Sequence, residues 1–113
     1  MIIIYHNPRC SKSRETLKIL ETKKAEHEVI KYLDDPLSPE KLGKIINLLN
    51  IKPIELVRKN ESIWKENFKG LDFTDEELIQ VMAKYPKLIE RPIVINGNKA
   101  TIGRPPKRIL DII

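Results

Sequence analysis

Cys10 is the only thiol in the sequence, and its neighbours favour the anion. Ile2-Ile3-Ile4-Tyr5 is a continuous apolar run that reads as a buried strand. His6-Asn7-Pro8-Arg9 breaks it, and a helical pattern begins at Ser11. A cysteine between a strand and a helix start faces unsatisfied backbone N–H groups and the positive end of the helix dipole. Both stabilise a thiolate. Arg9, Lys12 and Arg14 add positive charge, and the loop is short enough to keep His6 close. A thiolate at neutral pH is a nucleophile and a redox centre. The competing reading is a buried structural cysteine, and the polar, basic surroundings argue against it.

The spacing excludes several cysteine chemistries. Cys10-Ser11-Lys12-Ser13 has no second cysteine at the fourth position, so this is a monothiol site and any resolving thiol comes from outside. An internal disulfide and a zinc site on paired cysteines are excluded for the same reason, and no metal is expected. A phosphatase-type loop needs arginine six residues after the cysteine; Thr16 stands there, and Arg14 comes too early. His6 and His27 are the only histidines and carry no protease signature.

Positive charge is concentrated late in the chain. Lys84, Lys87, Arg91, Lys99, Arg104, Lys107 and Arg108 face only Glu90 between positions 84 and 108. Such a stretch suits a small oxyanion, a glutathione-like peptide or nucleic acid. Nucleic acid is the poorest fit, because only Tyr85 is interleaved to stack a base. Arg91 and Arg104 stand out. Each precedes a proline, which fixes the chain path, and each lies at a strand boundary from which a guanidinium can reach the Cys10 helix start. A guanidinium can fork onto two oxygens of an oxyanion. Taken alone, Arg58 reads as a surface residue of a short helix.

The elements that must position these residues follow from periodicity. Ser11 to about Thr22 reads as a helix with Leu17, Leu20 and Ile19 facing inward, and Glu28–Tyr32 as a second strand. Strand, helix and strand imply two parallel strands with a right-handed crossover. Ser38-Pro39 opens a helix with Leu42, Ile45, Ile46 and Leu49 on one face. Leu56–Asn60 and Ser62–Phe68 read as short helices, and Thr74 with Glu77 matches a capping box. Ile93–Ile95 and Ala100–Ile102 are strands joined at Asn96-Gly97, a tight-hairpin signal. Lys107–Ile113 reads as a terminal helix. The expectation is an α/β fold: one domain over 1–113, with a mixed four-stranded sheet flanked by helices and a helical insertion over about 35–90.

Composition agrees with one domain. The chain has 113 residues, of which 41% are hydrophobic and 33% charged, with a net charge of +5. That length can bury a core without a staple. No apolar run approaches a membrane span. The first residues lack the features of a secretory leader, and a lone thiol suits a reducing compartment, most simply the cytoplasm.

Four motifs then carry a resemblance. His6-Asn7-Pro8-Arg9-Cys10-Ser11-Lys12-Ser13-Arg14, Leu56-Val57-Arg58-Lys59-Asn60, Glu90-Arg91-Pro92-Ile93-Val94 and Ile102-Gly103-Arg104-Pro105 resemble, in order, the glutaredoxin-linked arsenate reductase family. The resemblance covers nearly the whole chain. It implies a thioredoxin-like fold with a helical insertion. It implies Cys10 as nucleophile, His6 as an aid to its ionisation, and Arg58, Arg91 and Arg104 as the oxyanion's holders. It also implies Pro92 as the cis proline opposite the cysteine. The implied reaction is reduction of arsenate to arsenite through a thioarsenate on Cys10. No cofactor is bound; glutathione is the co-substrate and glutaredoxin the partner. Characterised members tend to read Cys-Gly-Thr-Ser-Arg where this chain reads Cys-Ser-Lys-Ser-Arg, a change in the flexibility and charge of the anion cradle.

The alternative function is a non-catalytic thioredoxin-like module that binds a protein such as RNA polymerase. A sister group of that fold senses oxidation with a second cysteine three residues on. Ser13 occupies that place, so an internal redox switch is excluded while protein binding is not.

Overall fold

The computed structural model describes all 113 residues. The chain divides into two compact units, Met1–Asp35 with Arg91–Ile113, and Pro36–Glu90.

The first unit is built on a four-stranded sheet in the order β2-β1-β3-β4. The strands are β1 (Ile2–Tyr5), β2 (His27–Ile30), β3 (Ile93–Asn96) and β4 (Lys99–Ile102). β1 and β2 are parallel, with Ile4 opposite Val29. They are joined through α1 (Ser11–Thr22), as a β-α-β crossover requires. β3 runs antiparallel to β1, and β4 antiparallel to β3. β1 and β3 are central and therefore apolar on both faces, whereas the edge strand β2 exposes Glu28 and Val29. The strand read as Glu28–Tyr32 is His27–Ile30; β2 ends before Tyr32, whose ring is buried.

The core of this unit gathers Ile2, Ile4, Leu20, Val94 and Ile109, with Leu17, Ile19 and Ile112 against it. Each fully buried aliphatic side chain contributes about 1.5–3 kcal/mol. The terminal helix expected over Lys107–Ile113 is instead a 3₁₀ helix, Pro106–Asp111, packed on α1 and β4. Only seven residues follow Pro106, too few for a stable α-helical ladder, and the segment closes on i→i+3 bonds, Arg108 N to Pro105 O and Ile112 N to Ile109 O, both at 3.1 Å. The hairpin lies where Asn96-Gly97 predicts it, but its two loop residues are Gly97 and Asn98, because Asn96 pairs with Lys99. Gly97 takes a positive φ of 64°, as a primed turn demands.

One close approach fixes the end of β4 to the helix. Thr16 is fully buried, and its hydroxyl donates to the carbonyls of Lys12 and Gly103. Gly103 N–H donates to Pro92 C=O at 2.9 Å. A Cβ on Gly103 would sit 2.6 Å from Thr16 Oγ1 and 2.9 Å from Pro92 Cγ. No side chain fits there.

The second unit is helical. α2 (Pro39–Leu49) starts on a Ser38 cap, and α4 (Asp75–Lys84) on a complete Thr74/Glu77 capping box. α2 packs on α4 through Leu42, Ile45, Ile46, Leu78 and Met82. Leu56–Asn60 is not a helix. Pro53–Leu56 is a 3₁₀ turn, and Val57 is extended, bridging Ile89. Its backbone bonds go sideways, from Glu90 N to Leu56 O and from Arg58 N to Leu88 O, so the segment had no need of a helical ladder. α3 (Ser62–Asn67) carries Trp64, which packs with Phe68 and Phe73, and Tyr85 packs on Phe68.

Two stability predictions follow from these contacts. Gly103→Ala should cost about 1–3 kcal/mol by overpacking the Thr16–Pro92 notch, read by urea denaturation. Thr74→Ala should cost about 1 kcal/mol by the same measurement, because it removes one half of the capping box.

Candidate active site

Cys10 is the N-cap of α1, with extended backbone at φ −94° and ψ 124°. Its carbonyl accepts the first helical bond from Arg14 N at 3.0 Å, and its own N–H closes a turn onto Asn7 O at 3.0 Å. The side chain is half-buried. At an N-cap the free N–H groups of the first turn point back toward the capping side chain. Here the backbone N–H groups of Ser13 and Lys12 favour the thiolate, although the sulfur closes no capping hydrogen bond.

The loop before Cys10 is fixed by polar contacts. His6 N–H donates to Ile30 O at 2.8 Å, joining the loop to the end of β2. Ser13 is fully buried and lies at the hub: its Oγ accepts from Asn7 N at 3.0 Å and pairs with His6 Nδ1 at 2.6 Å. Asn7 Oδ1 accepts from Arg9 N, and Arg14 Nη1 reaches back to Pro8 O at 3.0 Å. These bonds hold the helix start in the one orientation that aims its donors at sulfur.

The distant arginines arrive on the β3–β4 side. Arg91 and Arg104 each precede a cis proline, Pro92 and Pro105. Arg104 Nη1 donates to Arg91 O at 3.1 Å and approaches Cys10 Sγ at 3.8 Å, a long contact even for sulfur. The Arg91 guanidinium also favours the thiolate.

The balance at the sulfur is a contest. Burial pushes the Cys10 thiol up; the Ser13 N–H, the Arg91 guanidinium and the Lys12 N–H outweigh it and hold the thiol below its ordinary value. The sequence reading credited Arg9, Lys12 and Arg14 with this effect. Lys12 instead directs its ammonium to Glu15 at 3.6 Å and serves the sulfur through its backbone. Arg14 is spent on Pro8. The decisive charge comes from Arg91, remote in sequence.

His6 acts at one remove. Burial, with the charges of Lys31 and Arg14, holds its imidazole below the ordinary histidine value. This favours the neutral ring, and its contact is with Ser13, not with sulfur. Arg58 lies in the Pro36–Glu90 unit. Its Nη1 donates to Glu90 at 2.7 Å and its Nε to Glu61 at 3.4 Å, so two carboxylates neutralise it there.

Sequence reasoning missed Ser13, Thr16 and Gly103 as positioning residues. Ser13 was legible only as the residue without a second thiol. Thr16 and Gly103 gave no signal, because their fit depends on a contact across 87 positions. The departure at Ser11 and Lys12 has a small physical content: the donor at position 12 is a backbone N–H, which any residue but proline supplies.

Comparison with known proteins places this geometry. The ArsC family matches residues 5–112. The arsenate reductase of Haemophilus influenzae is 44% identical over 114 residues, covering 99% of this chain and 98% of that protein. The uncharacterized Escherichia coli protein YfgD is 46% identical, covering 97% and 94%. The solved arsenate reductase of Vibrio cholerae superposes with a TM-score of 0.94 at 43% identity, over 99% of this chain and 97% of that one. The α/β fold is thus thioredoxin-like, as the resemblance implied. With nearly its whole length matched, the chain belongs to the ArsC family.

Proposed function

We propose that this protein is a thiol-dependent oxidoreductase that reduces arsenate to arsenite, with glutathione as co-substrate and glutaredoxin as the regenerating partner. The observation that carries the reading is the shell around Cys10: two backbone N–H donors, the Arg91 guanidinium, and Arg104 anchored beside it. Relatives named arsenate reductase supply the substrate class. The reading belongs in a reducing compartment such as the cytoplasm, where a lone thiol survives. No helix is long and apolar enough to cross a membrane.

Arg91 and Arg104 hold the oxyanion and offset its charge as the second anion approaches. The Cys10 thiolate attacks arsenic(V), forming an S–As bond and expelling hydroxide, which leaves as water after gaining a proton. The thiolate of glutathione then attacks Cys10 Sγ. A disulfide forms, the S–As bond breaks, and its electron pair stays on arsenic as arsenic(III). Two sulfurs have supplied the two electrons. Glutaredoxin attacks the glutathione sulfur of the mixed disulfide and releases the Cys10 thiolate. The resemblance adds Arg58 as a third holder; the reading rests on Arg91 and Arg104. His6 and Ser13 are positioning residues, and Pro92 shapes the wall beside Gly103.

Two measurements test this. In arsenate-dependent NADPH oxidation coupled through glutathione, glutaredoxin and glutathione reductase, Cys10→Ser should abolish turnover and keep the wild-type melting curve. Arg91→Ala should lower kcat/KM for arsenate about 10²-fold, the usual effect of losing one anion-stabilising group, while the exposed Lys87→Ala stays near wild type. Equal effects of the two variants, or an active Cys10→Ser, would remove the assignment.

The second measurement is the pH profile of iodoacetamide labelling. Because the folded-state thiol is depressed, the thiolate persists below the pH at which an unfolded cysteine is protonated. The matching stability is fully present above the unfolded pKa and is lost as pH falls through the folded one. The labelling midpoint of the native chain should lie below that of the urea-unfolded chain, and Arg91→Ala should move it upward. Coincident native and unfolded midpoints would contradict the reading.

A further inference from the structure

A recess opens beside the loop that leads into Cys10. It has a volume of about 290 Å³, with His6, Asn7 and Arg9 on one wall and Lys31 and Asp34 on the other. All of these residues belong to the first unit. The loop wall runs directly into Cys10, whose N–H closes a turn on Asn7 O at 3.0 Å. In such a turn the first and fourth Cα atoms lie within about 7 Å, so Asn7, which lines the recess, is one turn from Cys10. The opposite wall is held in place by a turn in which Asp34 N and Asp35 N both donate to Lys31 O, at 3.0 and 2.9 Å.

The charges in this recess form a pattern. Arg9 and Lys31 are exposed cations, and Asp34 is an exposed carboxylate. None of the three takes part in a salt bridge within the chain. Two cations and one anion complement a guest with two carboxylates and one ammonium. Arsenate is not such a guest, since Asp34 would repel it. A small peptide with free ends is, and if it carries a thiol that thiol must reach Cys10. An extended tripeptide spans about 10 Å, enough to place its sulfur at Cys10 and its charged ends in the recess.

We propose that the recess between Arg9 and Lys31 is the docking subsite of the thiol co-substrate, a zwitterionic tripeptide of the glutathione type, with Asp34 receiving its ammonium. The inference rests on the thiol-dependent reading above and deepens it. Oxyanion and thiol then approach sulfur from different sides. Arg91 and Arg104 hold the first on the β3–β4 side, and the recess presents the second along the loop.

The test uses disulfide exchange, which needs no arsenate. The Cys10 thiolate attacks one sulfur of an added disulfide; a new S–S bond forms, the old one breaks, and the released half leaves as thiolate. The rate with glutathione disulfide is divided by the rate with the uncharged bis(2-hydroxyethyl) disulfide, both followed by intact mass. The ratio cancels any change in Cys10 ionisation. The full-length chain should favour glutathione disulfide, and Lys31→Ala and Arg9→Ala should each reduce the ratio about two- to fivefold, the range for exposed ion pairs. Lys31→Glu should reduce it further and make it less salt-dependent. A wild-type ratio near that of a small free thiol, or ratios unmoved by all three variants, would overturn the proposal. A preserved ratio without arsenate turnover would overturn the arsenate reading and support the subsite. Arsenate turnover with an unmoved ratio would overturn the subsite alone.

Discussion

A negative charge on one half-buried sulfur is the constraint that the rest of the first unit serves. Burial alone would keep Cys10 protonated, because a thiolate loses hydration that a thiol hardly needs. The deficit is met by groups already fixed in direction: N–H donors of a helix start and a permanently charged guanidinium. Such groups need no reorganisation when charge appears, and this is why a small set of them outweighs desolvation.

Fixing those directions requires more residues than touch the sulfur. Ser13 gathers His6 and Asn7 onto its hydroxyl, so the loop cannot turn its donors elsewhere. Thr16, one turn along α1, packs on Gly103, which bonds Pro92 in turn, and so locates Arg91 and Arg104 relative to the helix. The sheet order β2-β1-β3-β4 makes this meeting possible. With β3 antiparallel to β1, the start of β3 and the end of β4 lie at the same edge as the end of β1, from which the Cys10 loop departs.

The second unit solves a different problem with the same chemistry. Arg58 is held by Glu61 and Glu90, two carboxylates for one cation, as a partly buried charge requires. The backbone around it pairs with the segment before Arg91 through Val57 and Ile89. Lys12 shows the converse. Its side chain is a surface ion pair of small consequence, and its contribution to the sulfur is its peptide N–H.

Much of this was legible in the residues. The apolar Ile2–Tyr5 run, the caps at Ser38 and Thr74, the hairpin near Gly97 and the lone thiol at a helix start are local signals, and local signals survive without a fold. The failures were also local in form. Leu56–Asn60 has helical composition, yet its backbone bonds to Leu88 and Glu90 instead, as donor at Arg58 and acceptor at Leu56, and Lys107–Ile113 is too short for more than a 3₁₀ turn. The sequence by itself determined which atom could carry the negative charge, since only one sulfur exists and the helix behind it points the right way. Only the tertiary structure decided which cation answers it. Arg9, Lys12 and Arg14 were nearest along the chain, but a side chain's reach is set by where its backbone is anchored, and sheet pairing brought Arg91 and Arg104 to the sulfur's side instead.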